Sequence, residues 1–219
     1  MDHFNHRRCA HRRAGSALVR FYSSRGKREP AKTATTAGLL VLLALLTFVA
    51  QRAGAQEQAA GFWLDVPFIG QSADGCGSAA ISMVLQYWTA HGAPVDSARA
   101  DAGTIQRSLY SRKARGIFAS DMEKYLRESG FSVFALHGTW DDLQRHLQQG
   151  RPLIVGLQPG AKKTPLHYVV AVGMDSQTPA IFVHDPARGK LQRIERTEFE
   201  KEWQPLGNWT LLTVPPQVH

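Results

Sequence analysis

The chain of 219 residues carries 26 Lys and Arg residues against 18 Asp and Glu residues, so its formal net charge is +8 at pH 7. Hydrophobic residues make up 43% of the sequence and charged residues 20%, which excludes collagen, a coiled coil, a polytopic membrane protein and a mostly disordered chain. The excess charge lies in residues 1–55, whereas residues 56–219 contain 16 basic and 16 acidic residues. We call residues 56–219 the body. Because the body has no net charge, it lacks the positively charged surface that binds a phosphate backbone, and we predict no nucleic-acid partner.

The first 55 residues have the pattern of an export signal. Residues 1–36 are basic, residues 37–50 contain no charge, and the small residues Ala53-Gly54-Ala55 follow, which is typical of a secretory signal peptide. The apolar run is shorter than the ~20 residues that a spanning helix requires, although an uncleaved signal anchor is the alternative. We therefore predict a leader in residues 1–55 and an exported body, periplasmic or extracellular, which is tethered to the membrane only if the leader is not cleaved.

Residues 56–219 are long enough for one domain with its own core, and their first half is mainly helical. A short strand over residues 62–66 precedes turn residues, and a helix begins at Cys76 and ends before Gly92. Ser120 and Glu123 have the spacing of a capping box, and Thr139 has the character of a helix cap. Further helices are predicted near residues 105–110, 120–130, 139–150 and 198–203.

The second half consists mainly of apolar runs that predict strands. These runs lie at residues 131–136, 152–157, 167–174, 180–184, 191–194 and 209–214. Helices first and consecutive strands later indicate an α+β fold with a mainly antiparallel sheet.

Cys76 is the single cysteine of the body, since Cys9 lies in the leader. It can form neither a disulfide within the body nor a Cys-x-x-Cys redox or zinc site. Its place at a turn-to-helix junction favours the thiolate, and the free N–H groups of a helix N-terminus can bind an oxyanion. Gly75 and Gly77 are interpreted as clearing space for a substrate, and Gln71 as a further oxyanion donor. The alternative is a buried, inert Cys76 and a solvated Gln71.

Two of the six histidines of the body lie at strand ends, where a catalytic base is expected. His167 begins one predicted strand, and His184 ends the next, just before Asp185. If the two strands form a hairpin with its apex at Ser176, His167 lies directly opposite Asp185 and His184 points to the other face. Cys76, His167 and Asp185 would then form a nucleophile, base and orienting residue. The alternative is a core histidine beside a turn aspartate.

The motifs VPFIGQ (66–71), DGCGSAA (74–80), HYVVAVG (167–173) and VHDPARG (183–189) resemble the peptidase C39 family. These are papain-like cysteine peptidases, best known as the leader-cleaving domains of bacteriocin exporters, and the resemblance covers residues 62–214. It implies a papain-like fold with N-terminal helices packed on the sheet. It also implies that Cys76 is the nucleophile, His167 the general base, Asp185 the orienting residue and Gln71 the oxyanion donor.

The sequence departs from many members of the family in two respects. Gly77-Ser78 stands where many members have Gly-Pro, and no transporter accompanies the domain, so we do not carry over the substrate of the exporter members. We predict an exported cysteine peptidase that acts on a peptide or protein. The alternatives are a papain-like amidase or acyltransferase acting on cell-wall or peptide amides, and a non-catalytic peptide-binding module. No glycine-rich nucleotide loop is present, and we expect no nucleotide, cofactor or metal.

Overall fold

The computed structural model describes residues 61–160 and 165–215, so the predicted leader lies outside the described residues. They contain five α-helices: Cys76–Ala90 (α1), Ala102–Leu109 (α2), Ala119–Glu128 (α3), Trp140–Gln148 (α4) and Arg196–Trp203 (α5). They also contain seven strands: Phe62–Trp63 (β1), Ser132–His137 (β2), Leu153–Leu157 (β3), His167–Met174 (β4), Ala180–Asp185 (β5), Gly189–Glu195 (β6) and Trp209–Val214 (β7). This composition confirms the predicted α+β class. None of these helices is both long and apolar enough to cross a membrane.

One antiparallel sheet forms the centre of the described body. Its strands lie in the order β2-β7-β3-β4-β5-β6, and β1 pairs with the end of β4. The central strands β3 and β4 are buried on both faces, which explains why their sequences are nearly continuous apolar runs. The close approach of β1 depends on Gly173, where a Cβ atom would lie 2.2 Å from the carbonyl oxygen of Phe62.

Helices pack on both faces of the sheet. Successive side chains of β4 point to opposite faces, so they alternate between the two cores that the sheet forms with these helices. Tyr168, Val170 and Val172 belong to the core shared with α1, α2 and α3. Val169 and Ala171 belong to the second core, with α4 and α5. The first core matters for function, because it holds the beginning of α1 beside the beginning of β4.

Local sequence patterns predict the cap of α4 correctly and the cap of α3 incorrectly. Thr139 forms the predicted cap of α4, and its side chain and that of Asp142 each accept the other's backbone N–H, as in a capping box. The capping box predicted for Ser120 and Glu123 is wrong. Helix α3 begins at Ala119, two residues before the start that a Ser120 cap would give, and its N-cap residue Phe118 forms no side-chain cap. The extended Phe118 already occupies the position that a serine cap would need.

The hairpin register also differs from the prediction. Val170 pairs with His184 and Ala171 with Val183, so the direct opposition of His167 and Asp185 is wrong. Continued in this register, Asp185 would lie opposite Val169. The turn after Asp175 is centred later than predicted, and a bulge inserts one residue between Ala171 and Gly173.

Thr139→Ala should lower the free energy of unfolding by about 1 kcal/mol, because it removes the acceptor for one end of the capping box. The measurement is the urea midpoint of the folded domain. Ser120→Ala is the matched control, since Ser120 makes no cap bond. Equal losses in the two variants would contradict the assignment of the cap to Thr139.

Candidate active site

The beginning of α1 places the half-buried Cys76 at one end of a mostly buried helix. Gly75 is the N-cap residue, and no side chain caps this terminus. The free thiol of Cys76 is half-buried, whereas Ile81, Met83 and Val84 farther along α1 are fully buried in the first core. The uncapped N–H groups of the first turn therefore lie beside the sulfur atom.

The glycines on either side of Cys76 have a different purpose from the predicted one. A Cβ atom on Gly75 would lie 2.9 Å from Ser72 Oγ, and one on Gly77 would lie 3.1 Å from Ile117 Cβ. The space at each glycine is therefore filled by the protein itself, and the prediction that it admits a substrate is wrong. The two residues permit the tight turn before α1 and the packing of a neighbouring loop.

His167 contacts both Asp185 and Cys76. Its Nε2 atom lies 2.7 Å from Oδ1 of Asp185, and the side chain of Cys76 is close enough to the ring to raise the pKa of His167. The register error does not prevent the first contact, because a shift of two residues keeps both side chains on one face. Diagonal neighbours across two strands remain within reach of an imidazole and a carboxylate. Nδ1 is the ring nitrogen left for the sulfur atom.

Charges on both sides of the imidazole favour its protonated form. Burial acts most strongly and by itself would lower the pKa of His167, but the hydrogen bonds and charges of Asp185 and Cys76 outweigh it and raise the pKa to about 9. At neutral pH the imidazole therefore carries a proton that it can donate.

Asp185 is nearly fully buried, with only 3% of the residue exposed. Burial alone would raise its pKa, but the contact with His167 and the backbone N–H of Ala187 reverse this and lower the pKa. Oδ1 accepts from the N–H groups of Ala187 at 2.8 Å and of Arg188 at 3.2 Å. The carboxylate is thus held by the turn that follows it and stays charged beside the imidazole.

Gln71 lines the same cleft as His167. The cleft has a volume of about 270 Å³ and is lined by Gln71, Asp74, Cys76, Arg115, Pro159, Pro165, Leu166, His167, Ala187 and Arg188. The backbone N–H of Gln71 bonds to Pro186 O at 2.9 Å, which joins the two halves of the site. Its side-chain Oε1 atom is buried and has no hydrogen-bond partner among the described residues. All four predicted site residues therefore surround or support one cleft.

His184 does not line the cleft, and its hydrogen bonds indicate a structural role. The N–H of Leu191 donates to its Nδ1 atom at 3.2 Å, so Nε2 carries the proton and donates to Val66 O at 2.9 Å. Burial lowers the pKa of His184 and keeps it neutral. The predicted choice of His167 over His184 agrees with these environments.

Sequence reasoning did not assign Arg115, Arg188 or Asp74 to the cleft. Arg188 follows Asp185 by three residues, so its nearness to the motif was a usable signal. Arg115 belongs to a basic loop far from Cys76 in sequence, and no local pattern connects them. Among the described residues, no group of three His, Cys, Asp or Glu side chains could hold a metal ion.

Solved structures with the same fold include three peptidases or peptidase domains. A protein of Bacillus anthracis assigned as a C39-like peptidase has a TM-score of 0.58 and 17% identity, over 73% of this chain and 100% of that one. A double glycine motif protease from an AMS/PCAT transporter, in complex with the leader peptide, has a TM-score of 0.52 and 20% identity, over 73% and 100%. The peptidase domain of Streptococcus ComA, a bifunctional ABC transporter of a quorum-sensing pathway, has a TM-score of 0.51 and 19% identity, over 68% and 98%.

At these identities the solved structures establish a shared fold, the papain-like fold of C39 peptidase domains. No curated protein matches the sequence. The family model described as Peptidase_C39 like family matches residues 63–211, which is most of the chain and contains every residue of the cleft. The fold and this match agree with the resemblance found in the sequence motifs, and the chain belongs to the C39-like peptidase family.

Proposed function

We propose that the protein is a cysteine peptidase in which Cys76 is the nucleophile, His167 the acid and base, Asp185 the orienting residue and Gln71 an oxyanion donor. The observation that carries this proposal is the contact of the His167 ring with Asp185 at 2.7 Å on one side and with the Cys76 side chain on the other. Membership of a peptidase family supports the reaction class.

The reaction begins with attack of the Cys76 sulfur on the carbonyl carbon of an amide. The carbonyl oxygen becomes an oxyanion, which the N–H groups of the α1 terminus and the Gln71 amide can stabilise. His167 donates its proton to the leaving amine as the C–N bond breaks, and a thioester remains on Cys76. Water then attacks the thioester, His167 accepts a proton from it, and departure of the acid product returns Cys76 and His167 to the protonation states in which they began.

We also propose that the peptidase domain acts outside the cytoplasm. The basic and apolar pattern of residues 1–55 supports this location. Expression of the full chain with an epitope tag at the C-terminus, followed by fractionation, tests it: the tag should appear in the periplasm or medium. Recovery in the cytoplasm alone would contradict export.

Cys76→Ala and His167→Ala should each lower the rate of peptide hydrolysis by roughly 10⁴-fold while the domain stays folded. Both residues lie at element ends, where packing is least demanding. Cleavage of a fluorogenic peptide library and far-UV circular dichroism are the measurements. The double variant should be about as inactive as either single one, because the two groups act as a unit. Losses that multiply would argue against a shared mechanism.

Gln71→Ala should lower kcat by ~10²–10³ with little change in KM, because an oxyanion donor acts mainly in the transition state. Gln106→Ala is a matched control, since Gln106 also has a buried Oε1 atom without a partner but does not line the cleft. The measurement is steady-state kinetics on the best library peptide. A loss confined to KM would show that Gln71 positions the substrate instead.

Asp185→Asn should lower the pKa of His167 from about 9, because the imidazolium loses its anionic partner. NMR titration of the ring protons measures this change. Since the folded pKa exceeds the unfolded value near 6.5, protonation of His167 stabilises the fold below pH ~6.5, and this stability disappears as the pH rises towards 9. The variant should show a flatter stability profile over that window.

Asp175→Asn is the control for the Asp185 variant, because Asp175 lies at the far end of the same hairpin and its pKa is lowered to about 2. It should leave the titration of His167 unchanged. If both variants shift the His167 titration alike, direct contact with Asp185 is not the cause of the raised pKa.

A further inference from the structure

Two arginines from different parts of the fold border the cleft that contains Cys76. Arg115 belongs to the loop between α2 and α3, and Arg188 to the turn between β5 and β6. We propose that their guanidinium groups bind a carboxylate of the substrate next to the scissile amide, so that the enzyme prefers anionic peptides. This specificity rests on the proposed peptidase function, because it concerns the substrate of the same cleft.

The backbone that carries Arg115 is fixed against the catalytic helix. Ser111 and Gly116 exchange backbone hydrogen bonds of 2.8 and 3.3 Å, which close the loop. Ile117 packs against Gly77, in the first turn of α1. Arg115 itself has a φ of 49°, a left-handed conformation that is unfavourable for any residue other than glycine. The loop therefore holds an arginine at a position where local preference favours glycine.

The backbone that carries Arg188 is fixed by the orienting carboxylate itself. Its N–H lies 3.1 Å from Asp185 O and 3.2 Å from Asp185 Oδ1. The same Oδ1 atom contacts His167. The backbone of Arg188 is therefore held by the same carboxylate oxygen that contacts the imidazole of His167.

Both guanidinium groups keep their hydrogen-bond donors available. Arg115 Nη2 lies 3.9 Å from Asp74 Oδ1, and Arg188 Nε lies 3.6 Å from Asp185 Oδ2, distances too long for hydrogen bonds. Within residues 61–160 and 165–215, neither group donates a hydrogen bond. The planar fork of a guanidinium fits a carboxylate or a phosphate with two parallel hydrogen bonds, and in an unmodified peptide the anionic group is a carboxylate.

The carboxylates nearest the two arginines already have other hydrogen-bond partners. Asp74 accepts a hydrogen bond from Tyr110 at 3.2 Å, and Asp185 is in contact with His167 at 2.7 Å. The side chains of Pro159, Pro165 and Leu166, which also line the cleft, carry no charge that would repel an anion.

Alkylation of Cys76 tests the carboxylate site without a known substrate. Iodoacetate and iodoacetamide share a leaving group and differ by a carboxylate in place of an amide, and mass mapping of the full chain separates Cys76 from Cys9. The variant Arg115→Gln with Arg188→Gln should lower the iodoacetate-to-iodoacetamide rate ratio at Cys76 by about tenfold. Arg115→Gly with Arg188→Gln should do the same, with a backbone suited to the φ of 49°.

Lys113→Gln with Lys190→Gln is the matched control. It removes the same charge from the same loop and from the strand next to Arg188, but neither lysine lines the cleft. The rate ratio should then change by less than about twofold. Equal changes in the arginine and lysine variants would overturn the carboxylate site, while reactive Cys76 would still support the peptidase proposal.

Peptide cleavage distinguishes the source of the carboxylate. Octapeptides with Glu or Gln at each position, each with a free or an amidated C-terminus, are compared by kcat/KM. A preference of about tenfold for Glu in amidated peptides indicates an acidic side chain, and a preference for the free terminus indicates an α-carboxylate. The arginine variant should lose either preference. Equal kcat/KM for all four peptide forms would overturn the inference.

If Cys76 resists both alkylating reagents, the peptidase proposal fails and the charge preference is measured by binding alone. Fluorescence anisotropy with a labelled Glu octapeptide and its Gln counterpart then reports on the cleft of the unmodified chain. Tighter binding of the Glu peptide that the arginine variant loses supports the inference. Equal binding of the two peptides overturns it.

Discussion

The candidate site depends on the burial of α1 against β4. Ten of the fifteen residues of α1 are buried, so the helix is held between the sheet and the helices α2 and α3. Each large apolar side chain removed from water, such as Ile81 or Met83, contributes roughly 1.5–3 kcal/mol before entropy is counted. This packing fixes the axis of the helix and hence the place of its first residue. Cys76 meets His167 because the helix and the strand begin at the same end of the core.

The carboxylate of Asp185 connects this packed core to the chemistry. It is buried, and it remains charged because His167 and two backbone N–H groups surround it. One oxygen atom thereby contacts both the imidazole and the backbone of the following turn. A buried charge with these partners is costly to rearrange, so the orientation of His167 is prepared before any substrate arrives.

Two arginines whose side chains donate no hydrogen bond among the described residues border the cleft of a domain that is neutral as a whole. Neither arginine at its rim is required by the fold, since their side chains are 69% and 61% exposed. The backbones that carry them are nonetheless fixed, one by packing on the start of α1 and the other by Asp185. The proposed chemistry and the proposed selectivity therefore depend on the same two anchors, the start of α1 and the carboxylate of Asp185.

The sequence by itself determined the class of the fold, most helix and strand positions and the identity of the candidate nucleophile. These features follow from local periodicity, from the cap at Thr139 and from the single Cys76 at a turn-to-helix junction. Tertiary structure decided the hairpin register, which depends on a bulge and on hydrogen bonds within a turn. Tertiary structure also determines which neighbours fill the space beside Gly75 and Gly77, and it brings Arg115 into the cleft. Such features arise from contacts between distant segments, and no periodicity within one segment encodes them.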